Sequence, residues 1–317
     1  MSAAAGDTLF VSDKPRVVVI GGPTGIGKTA AAIELAERFG GQIVSADSMQ
    51  IYRGMDIGTA KPDAAERARI PHHLIDIVDP DEAFSAGQYA GLAGRIITDL
   101  WAGVRLPFLV GGTGLYIKAC LHGLFRERAA DPAVLDRLNR EAEAAGAPAM
   151  HEKLRASDPD AARRINPGDT FRIVRALELY ESTGRRASDH ARRHGFAEDR
   201  FASLKICLYQ DREELYRRIN ERVEAMLAAG LVTEVRGLLE KGYSPEAKSM
   251  QSIGYRHVVQ YLEGSLSREE MVRTLQQDTR RYAKRQLTWF RADPEVHWVD
   301  VKEGLEKPEN LIKTFLK

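Results

Sequence analysis

Cysteine is nearly absent from this chain of 317 residues: only Cys120 and Cys207 occur, far apart and in no Cys-x-x-Cys pair. That excludes a zinc finger or a disulfide framework and makes a reducing cytoplasm the expected compartment. No run of about 18 apolar residues exists, so no membrane span is expected. The opening residues, Met1 to Thr8, are small and polar and lack the apolar segment of a secretion signal. Net charge is scarce too, at +1, so the total says nothing about a polyanionic partner. The distribution says more. Arg280, Arg281, Lys284, Arg285 and Arg291 share one stretch with no acid, and Arg185, Arg186, Arg192 and Arg193 form a second cluster beside His190 and His194. Hydrophobic residues at 44% and charged residues at 29% are ordinary for a globular enzyme of one large or two modest domains.

The first third alternates strand and helix text. Val17 to Ile20 is a short β-branched run ending at Gly21-Gly22, and Thr29 to Arg38 is an Ala-, Leu- and Glu-rich helix stopped by Gly40-Gly41. Gln42–Ala46, Leu74–Val78 and Leu106–Val110 read as further strands. Such alternation implies an α/β fold, a parallel sheet with helices on both faces, whose ligands sit at the carboxyl ends of the strands. From Ala129 to Arg193 the text turns helical, as a small all-helical insertion would. Phe201–Tyr209 returns to strand. A long helix is expected over Glu213–Leu239, bent or divided at Gly230, and another over Arg268–Phe290. The expected division is 1–124 for the first part of the core, 125–200 for the insertion and 201–317 for completion of the core.

Gly22-Pro23-Thr24-Gly25-Ile26-Gly27-Lys28-Thr29 follows a strand and opens a helix, which is the setting a phosphate-binding loop requires. Its glycines turn backbone N–H groups toward phosphate oxygens, the helix end adds partial positive charge, Lys28 adds a full one, and the Thr29 hydroxyl is a candidate Mg²⁺ ligand. The loop names a phosphate chain, not a reaction: ATP-dependent kinases and other transferases use it alike. No acid ends an apolar strand as a motor ATPase would need, because Asp76 lies inside Leu74–Val78. Asp47 follows the second strand, where either a general base or a capping or metal-supporting acid belongs. Gly111-Gly112-Thr113-Gly114 is either a site loop or a plain turn. Taken alone, Arg218 and Arg222 read best as a solvated helix face. The adjacent His72 and His73 point to opposite sides of an extended segment, which favours a structural role over a shared ion.

The stretch Ser45 to Pro62, with Gly22-Pro23-Thr24, closely resembles the tRNA dimethylallyltransferases (tRNA isopentenyltransferases) of bacterial type. The likeness continues at Pro71–Asp76, Gly111–Tyr116, Arg172–Glu178, Ser252–Arg256 and Lys284–Arg291, in order over nearly the whole chain. The resemblance implies a P-loop NTPase-like sheet with a helical insertion that grips the anticodon stem. It implies transfer of dimethylallyl from dimethylallyl diphosphate to N6 of adenosine 37 in tRNAs reading codons that begin with U, with Mg²⁺. A monomer is expected. The loop then cradles a leaving diphosphate and not a reacting ATP.

Carried over residue by residue, the resemblance makes Asp47 the base and Thr113 the donor to the bridging oxygen. Gly22, Pro23, Thr24, Gly25, Ile26, Gly27, Lys28, Thr29 and Arg218 bind diphosphate. Contacts to tRNA are implied at Asp47, Ser48, Met49, Gln50 and Thr113, and at Phe171, Arg172, Ile173, Val174 and Arg175. Further ones are implied at Gln251, Ser252, Ile253, Gly254, Tyr255 and Arg256. The last set is Lys284, Arg285, Gln286, Leu287, Thr288, Trp289, Phe290 and Arg291, a basic and aromatic mixture suited to phosphates and splayed bases. Members of the family often have Gln where Phe171 stands, which leaves a stacking contact there, and some have Arg where Leu135 stands, so no tRNA role passes to Leu135.

Overall fold

The computed structural model describes residues 14–123, 131–189 and 199–317. Its core is a six-stranded sheet in the order β3-β2-β4-β1-β5-β6. The strands are β1 (Arg16–Gly21), β2 (Gln42–Ser45), β3 (His72–His73), β4 (Pro107–Val110), β5 (Ala202–Tyr209) and β6 (His297–Asp300). Every pairing is parallel. Val18, Ile20, Phe108, Val110 and Ile206 face one apolar layer, and Val17, Val19, Leu109 and Cys207 face the other. Burial on both faces explains why these strands are continuous apolar runs and not alternating ones.

Helix α1 (Lys28–Arg38) leaves the phosphate loop and packs on the first layer; α3 (Ala86–Ala102) and α4 (Gly114–His122) cover the second. The short α2 (Ala64–Arg69) carries a full capping box, Asp63 with Glu66. Asp199 onward rejoins this unit, which comprises residues up to His122 and from Asp199. A second compact unit runs Gly123–Glu198. It contains α5 (Pro132–Ser157), α6 (Pro159–Arg164) and α7 (Thr170–Thr183), closed around Leu138, Met150, Leu154, Ile173 and Leu177. Gly146, at φ 77°, breaks α5, and Asp158 ties α6 to the chain beyond α7 by accepting from Ala161 N and Ser188 N. His190, Arg192, Arg193 and His194 of the second basic cluster lie outside the described residues.

Two expectations change. Leu74–Val78 is not a strand. After His73 the chain turns through left-handed backbone at Leu74 (φ 63°) and Asp76 (φ 57°). The cause is the acid inside the apolar run: Asp76 is drawn into bonds with Lys61 Nζ (2.5 Å) and Arg67 (2.8 Å). Val78 then meets Tyr52 in a single bridge. The expected helix over Glu213–Leu239 is two, α8 (Arg212–Ala228) and α9 (Leu231–Glu240), divided at Gly230 with φ 103°. The remaining helices are α10 (Tyr255–Leu262), α11 (Arg268–Arg291) and α12 (Glu306–Leu316). Among the described residues no helix is long and apolar enough to cross a membrane.

The segment after β2 has almost no regular structure, yet its course is fixed by side chains. Glu234 of α9 accepts from the amides of Asp56 (3.0 Å), Ile57 (2.7 Å) and Gly58 (3.1 Å), and from the buried Tyr255 hydroxyl (2.5 Å). Removing that carboxylate strands four donors at once. Glu234→Ala is expected to lower unfolding free energy by about 2–3 kcal/mol in urea titration, and Tyr255→Phe by about 1 kcal/mol.

Candidate active site

Because β4 lies between β1 and β2, the loops that follow these three strands emerge side by side. The loop after β1 is the phosphate loop. Gly22 has φ 140° and its Cα lies against Leu208 O, where a Cβ would come within 2.7 Å. Only glycine lets the chain turn there. Lys28 folds back so that Nζ donates to Pro23 O at 2.9 Å. Arg218 of α8 lies against Gly27, and Arg222, one turn further along, faces the same cavity of about 350 Å³ with Lys28, Thr29 and Asp47.

Three cations therefore line one cavity with Asp47, and Glu66 of α2 lines it too. Burial pulls the Lys28 ammonium down to about 8, with the charge of Asp47 opposing that shift and Arg222 adding to it. Burial likewise lowers Arg222, again against Asp47 and with Arg218. Desolvated cations of this kind favour a ligand that brings its own negative charge. Asp47 sits at the carboxyl end of β2. Its Oδ1 accepts from the amides of Met49 (2.8 Å) and Gln50 (3.4 Å), so the capping bonds fall on one oxygen and fix the carboxylate at the cavity.

From the loop after β4, Thr113 Oγ1 accepts from Ser48 N at 3.0 Å and donates to Ser48 Oγ at 3.3 Å. The third contribution comes from α11. Gln286 is buried; its Oε1 accepts from Thr24 N (2.8 Å) and its Nε2 donates to Gly112 O (3.0 Å). A Cβ on Gly112 would overlap that amide, so the position requires glycine. Tyr282, one turn earlier on the same face, lines the cavity. Burial pushes its phenol up to about 12, with the Asp47 charge adding to that shift and Thr113 and Gln286 opposing it.

The structure thus brings together the phosphate loop, Asp47, Thr113 and Arg218. The sequence reading undervalued Arg222, assigned to a solvated face, and missed Tyr282. The available signal was the helical stripe Met271, Leu275, Ala283, Gln286 and Phe290, in which a glutamine is anomalous and Tyr282 stands one turn before it. His73 Nε2 meets Gln42 Oε1 at 2.8 Å, and His72 Nδ1 meets Ile70 O at 2.7 Å while its ring lines the cavity.

Several side chains expected to touch RNA are used internally. Gln286 and Phe290 are buried, Leu287 packs on the first apolar layer, and Tyr255 is fully buried on Glu234. Ile173 and Val174 face the core of the second unit. Gln50 bonds Ser45 Oγ and the carbonyls of Thr59 and Ala60, while Met49 and Ile253 pack in the cluster below the loop. Gly254 caps α10, the Ser252 hydroxyl is buried, and Arg256 pairs with Asp278. For the residues on α7, α10 and α11 the reason is period, since in a helix only about half the positions of a motif face outward. Exposed are Lys284, Arg285, Thr288, Trp289 and Arg291 on α11, Gln251 before α10, and Phe171 and Arg172 on α7.

Comparison with known proteins agrees with this geometry. The model of the family described as IPP transferase matches residues 50–293, and one described as Isopentenyl transferase matches residues 15–75. The chain belongs to the IPP transferase family. This IPP transferase is 63% identical to the tRNA dimethylallyltransferase of Desulfosudis oleivorans over 96% of its own length and 97% of the relative's. It is 41% identical to the full-length tRNA isopentenylpyrophosphate transferase of Bacillus halodurans, with a TM-score of 0.72 over 96% of this chain and 97% of that one. A eukaryotic dimethylallyltransferase captured acting on tRNA shares 28% identity and a TM-score of 0.80, covering 94% of this chain and 80% of that one. The fold is the P-loop-like α/β sheet that the resemblance implied.

In this IPP transferase Lys28 is cationic below about pH 8 and neutral above it. A diphosphate selects the cation, so affinity is expected to fall as pH rises through about 8. Calorimetry of dimethylallyl diphosphate on the wild type and on Lys28→Met checks this, since the ligand's own titration is common to both. The difference between the two proteins should shrink above pH 8; a difference that stays constant to pH 10 contradicts it.

Proposed function

We propose that the chain transfers a dimethylallyl group from dimethylallyl diphosphate to N6 of adenosine 37 in the anticodon loop of tRNAs reading codons that begin with U. The products are N6-(dimethylallyl)adenosine and diphosphate. One observation carries the reading: Asp47, a carboxylate, stands at the rim of a cradle of Lys28, Arg218 and Arg222 in a single cavity. The cradle suits a leaving diphosphate and the carboxylate suits the proton of a weakly nucleophilic amine; a kinase can use the same pair, so the choice between them leans on the relatives. The names of the relatives support the substrate class.

N6 attacks C1 of the dimethylallyl group as the C1–O bond breaks and its electron pair leaves on the diphosphate. The N6 proton passes to the Asp47 carboxylate. Lys28, Arg218, Arg222 and the loop amides take up the charge that grows on the leaving oxygens, fixed donors of this kind contributing about 2.7–4 kcal/mol each. The Thr113 hydroxyl would donate to the bridging oxygen. Mg²⁺ fits the donor set: no three His, Cys, Asp or Glu side chains among the described residues converge to hold a metal alone, but the Thr29 hydroxyl lines the same cavity as Asp47. Mg²⁺ ordinarily takes one or two protein oxygens, waters and substrate phosphates. When bound it would neutralise leaving-group charge.

Adenosine 37 is stacked in its loop and must be turned out to react. Lys284, Arg285, Thr288, Trp289 and Arg291 line the outward side of α11, a mixture that holds phosphates and bases. Phe171, 81% exposed beside Arg172, offers a similar pair in the second unit, in keeping with a grip on the anticodon stem. We take a monomer in the cytoplasm as the working form.

Incubation with dimethylallyl diphosphate, Mg²⁺ and unmodified tRNA, followed by nucleoside mass analysis, is expected to give prenylated adenosine. Its absence, with phosphoryl transfer from ATP instead, overturns the reading. Asp47→Asn keeps a carbonyl for the two capping amides and removes the base. It should bind tRNA normally and turn over at least about 100-fold more slowly. Lys284→Ala with Arg285→Ala should weaken tRNA binding and flatten its salt dependence by about two phosphate contacts; an unchanged slope removes them from the RNA surface.

A further inference from the structure

We propose that Gln210 is a positioning residue that aims the Arg218 guanidinium into the diphosphate cradle without neutralising it. The inference rests on the reading of that cradle given above. Gln210 follows β5 directly, and Asp211 then caps α8, which carries Arg218 two turns along. Arg218 Nη1 donates to Gln210 Oε1 at 3.3 Å. Its Nη2 lies against the phosphate loop, 3.5 Å from where a Cβ on Gly27 would stand. A guanidinium only donates, so the amide must turn its oxygen toward it.

The neighbouring Arg217 is held differently. It is exposed and bonds two carboxylates, Glu214 at 2.6 Å and Glu221. Arg218 makes no such ion pair among the described residues. A carboxylate orients an arginine but also satisfies its charge, and so competes with an incoming polyanion. A carboxamide oxygen orients it and leaves the charge for the ligand. The rest of the amide points the same way. Gln210 is only 8% exposed, yet its Nε2 has no partner among the described residues. Gln286, similarly buried, has both ends engaged. A buried donor left unpaired costs stability, so an apolar side chain of the same length would serve packing better. The one polar bond that Gln210 makes goes to Arg218, and that bond is what its amide contributes.

Gln210→Met keeps the length of the side chain and removes both polar ends. Its effect is read in wild-type and Arg218→Ala backgrounds by calorimetry with inorganic pyrophosphate, by thermal melting and by kcat/KM for dimethylallyl diphosphate. Gln210→Met is expected to weaken pyrophosphate binding and to lower kcat/KM about tenfold each, the worth of one well-aimed charged hydrogen bond. Its Tm should stay at or above that of the wild type, and the pyrophosphate loss should vanish in the Arg218→Ala background. Gln210→Glu, which keeps an acceptor but adds a charge, should weaken pyrophosphate too. Unchanged pyrophosphate affinity in either variant, a loss that persists beside Arg218→Ala, or a lowered Tm in Gln210→Met overturns the role of Gln210 and leaves the transferase reading intact. If the pyrophosphate cycle holds but the wild type makes no prenylated adenosine, the transferase reading falls and the role of Gln210 stands.

Discussion

The active site hangs on one buried carboxamide. Gln286 joins the phosphate loop to the loop after β4, accepting from Thr24 N and donating to Gly112 O. An amide buried without partners costs several kcal/mol, so these bonds are obligatory once α11 packs against the sheet. They fix the separation of two loops that belong to neighbouring strands. They also fix the rotation of α11 about its axis. With Gln286, Ala283 and Phe290 turned inward, Tyr282 must enter the cavity and Lys284, Arg285, Thr288 and Arg291 must face outward. One helix thereby supplies the clamp, a cavity wall and a basic surface, and the spacing between them is set by 3.6 residues per turn.

The second constraint is electrostatic. Lys28, Arg218 and Arg222 share a cavity with the carboxylates of Asp47 and Glu66, and burial depresses both Lys28 and Arg222. A fold that gathers such charges carries an electrostatic cost that a polyanion relieves on binding. The nearby ion pairs have no such imbalance. Asp76 is matched by Lys61 and Arg67, and Lys205 by Asp293 and Glu295. The excess is local to the cradle, which is why it reads as a binding feature and not as general basicity in a protein of net charge +1.

Much of this was legible in the sequence because it depends on local signals. The phosphate loop needs a strand, glycines at set spacing and a helix start, all within a short span, and β1, β2, β4, β5 and α11 follow from apolar period. What was not legible depends on contacts between distant residues. Asp76 is an acid in an apolar run, and only its meeting with Lys61 and Arg67 turns Leu74–Val78 from strand into bend. Arg222 looks like any arginine on an amphipathic helix until the phosphate loop is placed against that helix. Motif membership also overcounts surface: the blocks around Ile173, Tyr255 and Gln286 mix exposed residues with core residues, and only the helix period separates them.

The sheet order explains why a phosphate loop here need not mean a nucleotide. With β4 inserted between β1 and β2, the loops carrying Lys28, Thr113 and Asp47 are consecutive at one sheet edge, and Thr113 N bonds Ala46 O at 3.1 Å. A leaving diphosphate, the donor to its bridging oxygen and the base for the incoming amine need that same sequence of places along a reaction axis. The strands that carry these loops are spaced by backbone pairing at about 4.8 Å. Backbone pairing thus places the loop of Lys28 and the loop of Asp47 at ends of strands held one strand apart by β4, and what the neighbouring strands end in decides which groups face the phosphate loop.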